Sequence, residues 1–300
     1  MRRALHIAAW SFGAMLLLAV LGVGAVIVAG NTRAGRHLIE RETLQLSSGR
    51  VRIAGLGGRF PDHIEIVTVQ LSDSKGAWLR AAHVSLRWSP LALLAWDLHV
   101  DRFAIGEVDV LRRPVRSRSG RAHSPVRMPA IDIDHFRIHT LQLEPAAAGT
   151  LARLSVRGSL HYRSMTDARA TLLARRTNGM GLYTLRLRTT PSTVDARVKL
   201  KEPADGPLQH WLKLPGLGPL ALEASIEGPP HAETLRLSAH AGKLLAEAHG
   251  TIDLGRRSAD LTYAITSAAM HPRPGLSWRH IALVGRWPRH GQTGRWICRA

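Results

Sequence analysis

An uninterrupted apolar stretch at the start of the chain constrains its structure most. No charged residue occurs in residues 4–32, and a hydrocarbon core of about 30 Å is crossed by roughly 20 helical residues. A cleavable signal peptide ending near residues 28–30 is the alternative, but signal-peptide cores are shorter, about 7 to 15 residues. The stretch therefore predicts a retained transmembrane anchor over residues 1–32. Its central apolar residues are Leu16, Leu17, Leu18, Val20, Leu21, Val23, Val26, Ile27 and Val28.

The chain is strongly basic, with a formal charge of +19 and a pI near 11.5. The basic run at residues 112–121 is of a kind found in nucleic-acid-binding arms. However, the arginines are spread along the whole chain and are not interleaved with aromatic residues into a stacking platform. Basic residues also suit a protein held near acidic lipid headgroups. We therefore expect a membrane environment and no nucleic-acid partner.

Alternation of apolar and polar residues dominates the rest of the chain. This period of two is typical of strands that have one dry face and one wet face. Clusters of Gly, Pro, Asp and Ser between the alternating segments predict turns. The sequence thus predicts a mainly β fold, in which one transmembrane helix is followed by an antiparallel sheet with few short helices. Alternation is clearest in residues 84–88, 131–133, 185–188, 194–200, 220–226 and 235–241.

Short helices and a loop interrupt the predicted strands. Ser89 followed by Pro90 is a favourable helix start, and Pro207 begins a weaker helical segment that reaches Leu214. Residues 112–129 are rich in Arg and Pro, and proline cannot donate to a strand ladder. We therefore predict a basic, Pro-rich loop at 112–129. It would separate a β-rich, anchor-proximal segment at 33–111 from a longer sheet at 130–300.

Residues that could support catalysis or metal binding are sparse. His135 and His139 are four apart, with Asp134 beside the first, which on a helix would form a metal-binding face. This segment is predicted to be a strand, where residues four apart are separated by roughly 13 Å. Asp132 and Asp134 alternate with isoleucines, so we interpret them as the wet side of the same strand. We expect no enzymatic activity, no metal and no cofactor.

Several spaced segments resemble one known family. They include RIAGLGGRFP at 52–61, DSKGAWL at 73–79 and VSLRWSPLALL at 84–94, with further matches at 64–66 and 108–114. A second block of matches lies at 214–220, 226–229, 241–244, 250–254 and 270–274. In this order, the segments resemble the N-terminal region of the TamB family, which belongs to the AsmA-like bridge proteins of the Gram-negative envelope.

The resemblance implies a fold and a function. It implies an inner-membrane protein whose body is an elongated, curled β-sheet in the periplasm, with an apolar groove that carries phospholipids to the outer membrane. It also implies cooperation with a TamA-like outer-membrane β-barrel partner in the assembly of outer-membrane proteins and the secretion of autotransporters. Family members are several times longer and bind this partner through a C-terminal region. The resemblance therefore predicts a shortened chain without that region.

The apolar rows of the alternating strands are the candidate lining of such a groove. A membrane-anchored scaffold that binds a protein partner by strand addition at a sheet edge is the alternative function. The candidate lining residues are Leu86, Leu185, Leu187, Leu220, Leu222, Leu235 and Leu237.

Overall fold

A computed structural model describes residues 30–115, 129–211, 216–256, 258–273, 276–287 and 296–298. Its strands are β1 Val51–Arg59, β2 His63–Asp73, β3 Gly76–Ser89, β4 Asp97–Val110, β5 Ala130–Leu143, β6 Ala152–Ser164, β7 Asp167–Arg176, β8 Leu182–Thr189, β9 Val194–Glu202, β10 Leu220–Gly228, β11 Glu233–Ala241, β12 Leu244–Asp253, β13 Ser258–Ser267, β14 Met270–Arg273, β15 Leu276–Trp278, β16 Ile281–Trp287 and β17 Trp296–Cys298. Fifteen of them form one long, curved and open sheet in the order β1 to β13, β16, β17, while β14 and β15 pair separately. The predicted mainly β fold is confirmed.

Four short helical segments accompany the sheet in the described residues. They are α1 Arg33–Leu46, a 3-10 helix at Pro90–Ala95, α2 Pro145–Ala148 and α3 Pro207–Trp211. The helix predicted after Ser89 is present, but it is a 3-10 helix that ends at Trp96 in the left-handed region. The helix predicted from Pro207 is also present, and residues 212–215 lie outside the described residues.

Helix α1 was not predicted from the sequence. The Thr32 hydroxyl caps its first turn by accepting a hydrogen bond from the Gly35 amide at 3.1 Å. Its side chains contact the edge strand β1, because Glu40 accepts a hydrogen bond from the Leu56 amide and Arg36 donates one to the Gly58 carbonyl. The helix therefore covers the first edge of the sheet, which would otherwise be open to pairing with another chain.

The predicted antiparallel sheet has one exception, at the predicted division between residues 33–111 and 130–300. Strands β4 and β5 pair in parallel, with Asp97 opposite Ala130 and Val110 opposite Leu143, so one sheet continues across the division. The last residue of β4 and the first residue of β5 therefore lie at opposite ends of a 14-residue strand, roughly 45 Å apart. About twenty residues of extended chain suffice for that distance. Every other strand pair in the sheet is antiparallel.

In each of the first five strands one residue stands outside the regular pairing, and these residues lie beside one another across the sheet. At these residues the alternation of each strand changes phase, so that the nearest residues of one face on either side of them are three positions apart, as Ala81 and Val84 are in β3. We call these residues the bulge line: Gly55, Val67, His83, Gly106 and His139.

The two ends of the strands differ in what they carry. The lower end holds the turns at residues 60–62, 165–166, 190–193 and 229–232, together with the 3-10 helix. The upper end holds the turns at 74–75, 177–181 and 242–243, together with α2 and α3.

No helix in the described part of the chain is both long and apolar enough to cross a membrane. The predicted anchor, with its residues from Leu16 to Val28, lies outside the described residues. The anchor therefore stays a prediction.

Candidate functional site

The register of the strands aligns apolar residues across the whole sheet. Each member of the alignment is the direct cross-strand partner of the next, and such partners share a face. We call the face that carries this alignment the apolar face. The central row, which takes one residue from each of β2 to β13 and from β16, is Ile64, Leu86, Phe103, Phe136, Gly158, Leu172, Leu185, Val198, Ala224, Leu237, Ala248, Tyr263 and Gly285.

The structure places all seven predicted lining residues on the apolar face. Leu86, Leu185 and Leu237 belong to the central row. Leu187 and Leu235 lie one row lower, joined through Ala196 and Ile226. The remaining two lie towards the upper end: Leu222 is opposite Leu200 and Ala239, and Leu220 is opposite Glu202 and Ala241.

Burial differs along the apolar face. All seven lining leucines are half-buried, so no second layer of the described residues covers them completely. A cluster of buried apolar residues forms near the upper end of β6 and β7, from Ala152, Leu154, Val156 and Ala174. Phe136, Ile138, Leu141, Leu143 and Tyr183 pack against it. The apolar face is thus closed by packing at this cluster. Single residues elsewhere on it, such as Leu200 and Ala241, are also buried, while the seven lining leucines stay partly accessible.

An apolar cavity of about 350 Å³ lies beside this buried cluster. It is bounded by the upper ends of β4 to β8 and by the short helices α2 and α3. Its walls include Val110, Leu143, Leu154, Leu208 and Trp211. Volumes of this order hold small ligands, and an apolar lining selects an apolar ligand.

A buried carboxylate holds α3 over the cavity. Glu202, which is 4% exposed, accepts hydrogen bonds from the amides of Leu208 at 3.2 Å and Gln209 at 2.9 Å. Tyr183 donates to the same carboxylate at 2.8 Å. Burial and this hydrogen bond to Glu202 together raise the pKa of the Tyr183 hydroxyl, which stays protonated as a donor.

The opposite face of the sheet is polar. Cross-strand ion pairs join Arg197 to Glu227 at 2.7 Å and Lys199 to Glu223 at 3.2 Å. Nearer β5 and β6, Arg137 lies directly opposite Arg157, so this part of the polar face carries an excess of positive charge. The two faces therefore separate apolar from charged side chains, as the alternation in sequence predicts.

Possible metal ligands lie on this polar face. His135 and His139 are on strand β5, as predicted. The parallel pairing of β4 and β5 instead brings Asp134 near His99, whose Nε2 lies 3.9 Å from Asp134 and 3.2 Å from Asp101. The two carboxylates are nearly half exposed, and ordinary charge pairing gives the same arrangement. We assign no metal to this cluster, which sequence reasoning missed because it predicted no pairing between β4 and β5.

Comparison of the chain with protein-family models, with curated proteins and with solved structures gives no match.

Proposed function

We propose that this protein is a membrane-anchored lipid carrier whose apolar face forms a groove for the acyl chains of phospholipids. One observation carries the proposal: the central row crosses the sheet from Ile64 to Gly285 without a charged residue and is left partly exposed. Exposed apolar surface of this extent marks a binding surface in a soluble fold.

The energetics favour an acyl chain as the occupant. Each methylene that leaves water for an apolar trough gains about 0.8 kcal/mol. Fifteen strands spaced about 4.8 Å apart give a path of roughly 65 Å along the sheet. A lipid can therefore move from strand to strand along a row without returning its chains to water. The cavity beneath α3 offers a more enclosed apolar site at the upper end.

The resemblance to the TamB family supplies the cellular setting of the proposal. In this setting the body lies in the periplasm, anchored to the inner membrane, and the groove carries phospholipids towards the outer membrane. Assistance to outer-membrane protein assembly and autotransporter secretion belongs to the same proposal. The proposal also includes a TamA-like outer-membrane barrel as the partner.

Lipid analysis of purified protein tests the proposal. Protein is purified from membranes in mild detergent, and bound lipid is extracted and identified by mass spectrometry. Leu187→Glu places a charge on the apolar face of β8, while Arg188→Glu changes the neighbouring exposed residue on the polar face and serves as a control. We expect phospholipid with the wild type and the control, and its loss from Leu187→Glu. Wild-type protein without phospholipid would overturn the proposal.

A scaffold that binds a protein by strand addition is the second candidate. The observation that favours it is the far edge of the sheet, where the described residues of β17 pair with Leu283, Val284 and Gly285 of β16. Among the described residues, 281–282 and 286–287 of β16 have no strand partner on this side, and their backbone groups suit an added strand. A stoichiometric protein partner in the same purification, without lipid, would support this function.

A further inference from the structure

The 3-10 helix at Pro90–Ala95 exposes large apolar side chains. Leu91 is 78% exposed, Leu94 is 87% exposed and the following Trp96 is 61% exposed. Leu93 adds a fourth exposed apolar side chain on the same short segment. Single exposed leucines are common, but four large apolar side chains within six residues form a patch that favours an apolar partner.

Direct contacts place this segment beside the point where the N-terminal apolar stretch meets the sheet. The side chain of Asn31 exchanges two hydrogen bonds with the backbone of Phe60, at 2.8 and 3.1 Å. The Trp88 indole donates to the Pro61 carbonyl at 2.7 Å, and the Trp88 amide donates to the Asp62 carbonyl at 3.0 Å. Residue 31 and the strand that leads into the 3-10 helix therefore hold the same turn at residues 60–62.

The position of the anchor identifies the partner. Where residues 4–29 cross the bilayer, residues 30–32 lie at its surface, and the turn at 60–62 brings the 3-10 helix to the same level. A Trp with neighbouring leucines suits the boundary between headgroups and acyl chains. The exposed Arg33 lies close by and favours anionic lipid headgroups, whereas the charge of Arg59 is paired with Asp62 at 2.6 Å.

We propose that the 3-10 helix is a second membrane contact, in which Leu91, Leu94 and Trp96 enter the headgroup region of the bilayer that holds the anchor. This inference rests on the proposed membrane attachment. The contact of the 3-10 helix holds the lower end of the sheet against the membrane, so that the apolar face begins where lipid is available. It also assigns a direction to the groove, from the lower end of β3 and β4 along the sheet.

Site-specific fluorescence tests this contact. The full chain carries Cys298→Ser, which removes its single cysteine, and an environment-sensitive fluorophore is attached at Leu94→Cys. The matched control is Met180→Cys, which is 78% exposed in the turn at the upper end. Both proteins are reconstituted into vesicles of phosphatidylcholine and phosphatidylglycerol, and quenching is measured with headgroup-level nitroxide lipids and with aqueous iodide.

We expect the Leu94 label to be quenched by nitroxide lipid and protected from iodide, with a blue-shifted emission. The Met180 label should show the reverse. If the protein floats with the vesicles but both labels are quenched by iodide alone, the membrane contact of the 3-10 helix is wrong while the anchor stands. If the protein does not float with the vesicles at all, the proposed attachment fails and this inference fails with it.

Discussion

Tyr183 donates a 2.8 Å hydrogen bond to Oε2 of Glu202, and this bond joins the apolar face to the helix that closes its upper end. The same carboxylate accepts from two amides in the first turn of α3, so it acts as the cap of that helix. Gln209, which is 1% exposed, fixes the following loop by donating to the Pro203 and Gly218 carbonyls. Glu202 thus connects the strand to the helix, and Gln209 connects the helix to the loop.

We expect Tyr183→Phe to lower the free energy of unfolding by about 1 kcal/mol, the usual value of one hydrogen bond. Glu202→Ala should cost more, about 1 to 3 kcal/mol, because it leaves the donors on Tyr183 and α3 without their acceptor. Chemical denaturation followed by tryptophan fluorescence measures both changes. A smaller effect for Glu202→Ala than for Tyr183→Phe would contradict the assignment of Glu202 as the shared acceptor.

The bulge line should depend on glycine at residue 55. Gly55 has a φ of +72°, and an added Cβ would lie 2.6 Å from Cγ2 of Val67. We expect Gly55→Ala to destabilise the fold by about 1 to 3 kcal/mol. Gly57→Ala is the control, because its added Cβ would meet only ordinary contacts at 3.9 Å. Equal unfolding midpoints for the two variants would show that the bulge line does not require glycine at residue 55.

Asp73 should make stability depend on pH in the acid range. Its carboxylate binds Arg112 through two hydrogen bonds and accepts from the amides of Val115 and Lys75. These contacts, the Arg112 hydrogen bond foremost, hold the pKa of Asp73 well below its usual value. Because the folded pKa is depressed, the stabilisation is present above the unfolded pKa of about 3.9 and is lost as the pH falls below it.

The comparison with Asp73→Asn tests this linkage. The variant should melt at a lower temperature than the wild type near pH 7, and the difference should shrink as the pH is lowered below about 4. Thermal unfolding followed by circular dichroism between pH 2 and pH 7 measures it. A difference that stays constant over this range would exclude the ionised Asp73 as its source.

The two faces of β10 should respond differently to substitution. Leu222 lies opposite the buried Leu200, whereas Glu223 is exposed and pairs with Lys199. Leu222→Asp should lower the free energy of unfolding by at least about 2 kcal/mol, because a half-buried carboxylate there has no partner. Glu223→Gln should stay within about 0.5 kcal/mol of the wild type. Similar losses in both variants would argue against a one-sided sheet.

Much of the sheet from β8 to β13 could be predicted from sequence, because its strands alternate without interruption. Leu185, Leu187, Leu235 and Leu237 all fall on the face that a period of two assigns to them. Neither strand pairing nor register is needed for such an assignment. The separation of the two faces was therefore predictable before any contact was known.

The first five strands were harder to predict, because their alternation changes phase. His83 is exposed with a φ of +55°, between Val84 and Ala81, which both face the apolar side. A single sequence does not distinguish such an extra residue from the end of a strand.

The parallel pairing of β4 with β5 was missed because the Pro-rich segment at 112–129 resembles a boundary between two domains. Helix α1 was missed because its sequence is mostly polar, and the side that faces the sheet carries only two large apolar residues, Ile39 and Leu44.

The capture of lipid by the apolar face tests the central proposal most directly. Photo-crosslinking residues are placed in living cells at Leu86, Leu187 or Leu237 on the apolar face. Matched sites on the polar face of the same strands are Arg87, Arg188 and Arg236, which are all exposed. A lipid-carrying groove predicts phospholipid adducts from the first set and none from the second. Absence of adducts from the apolar set, or equal capture from both sets, would contradict it.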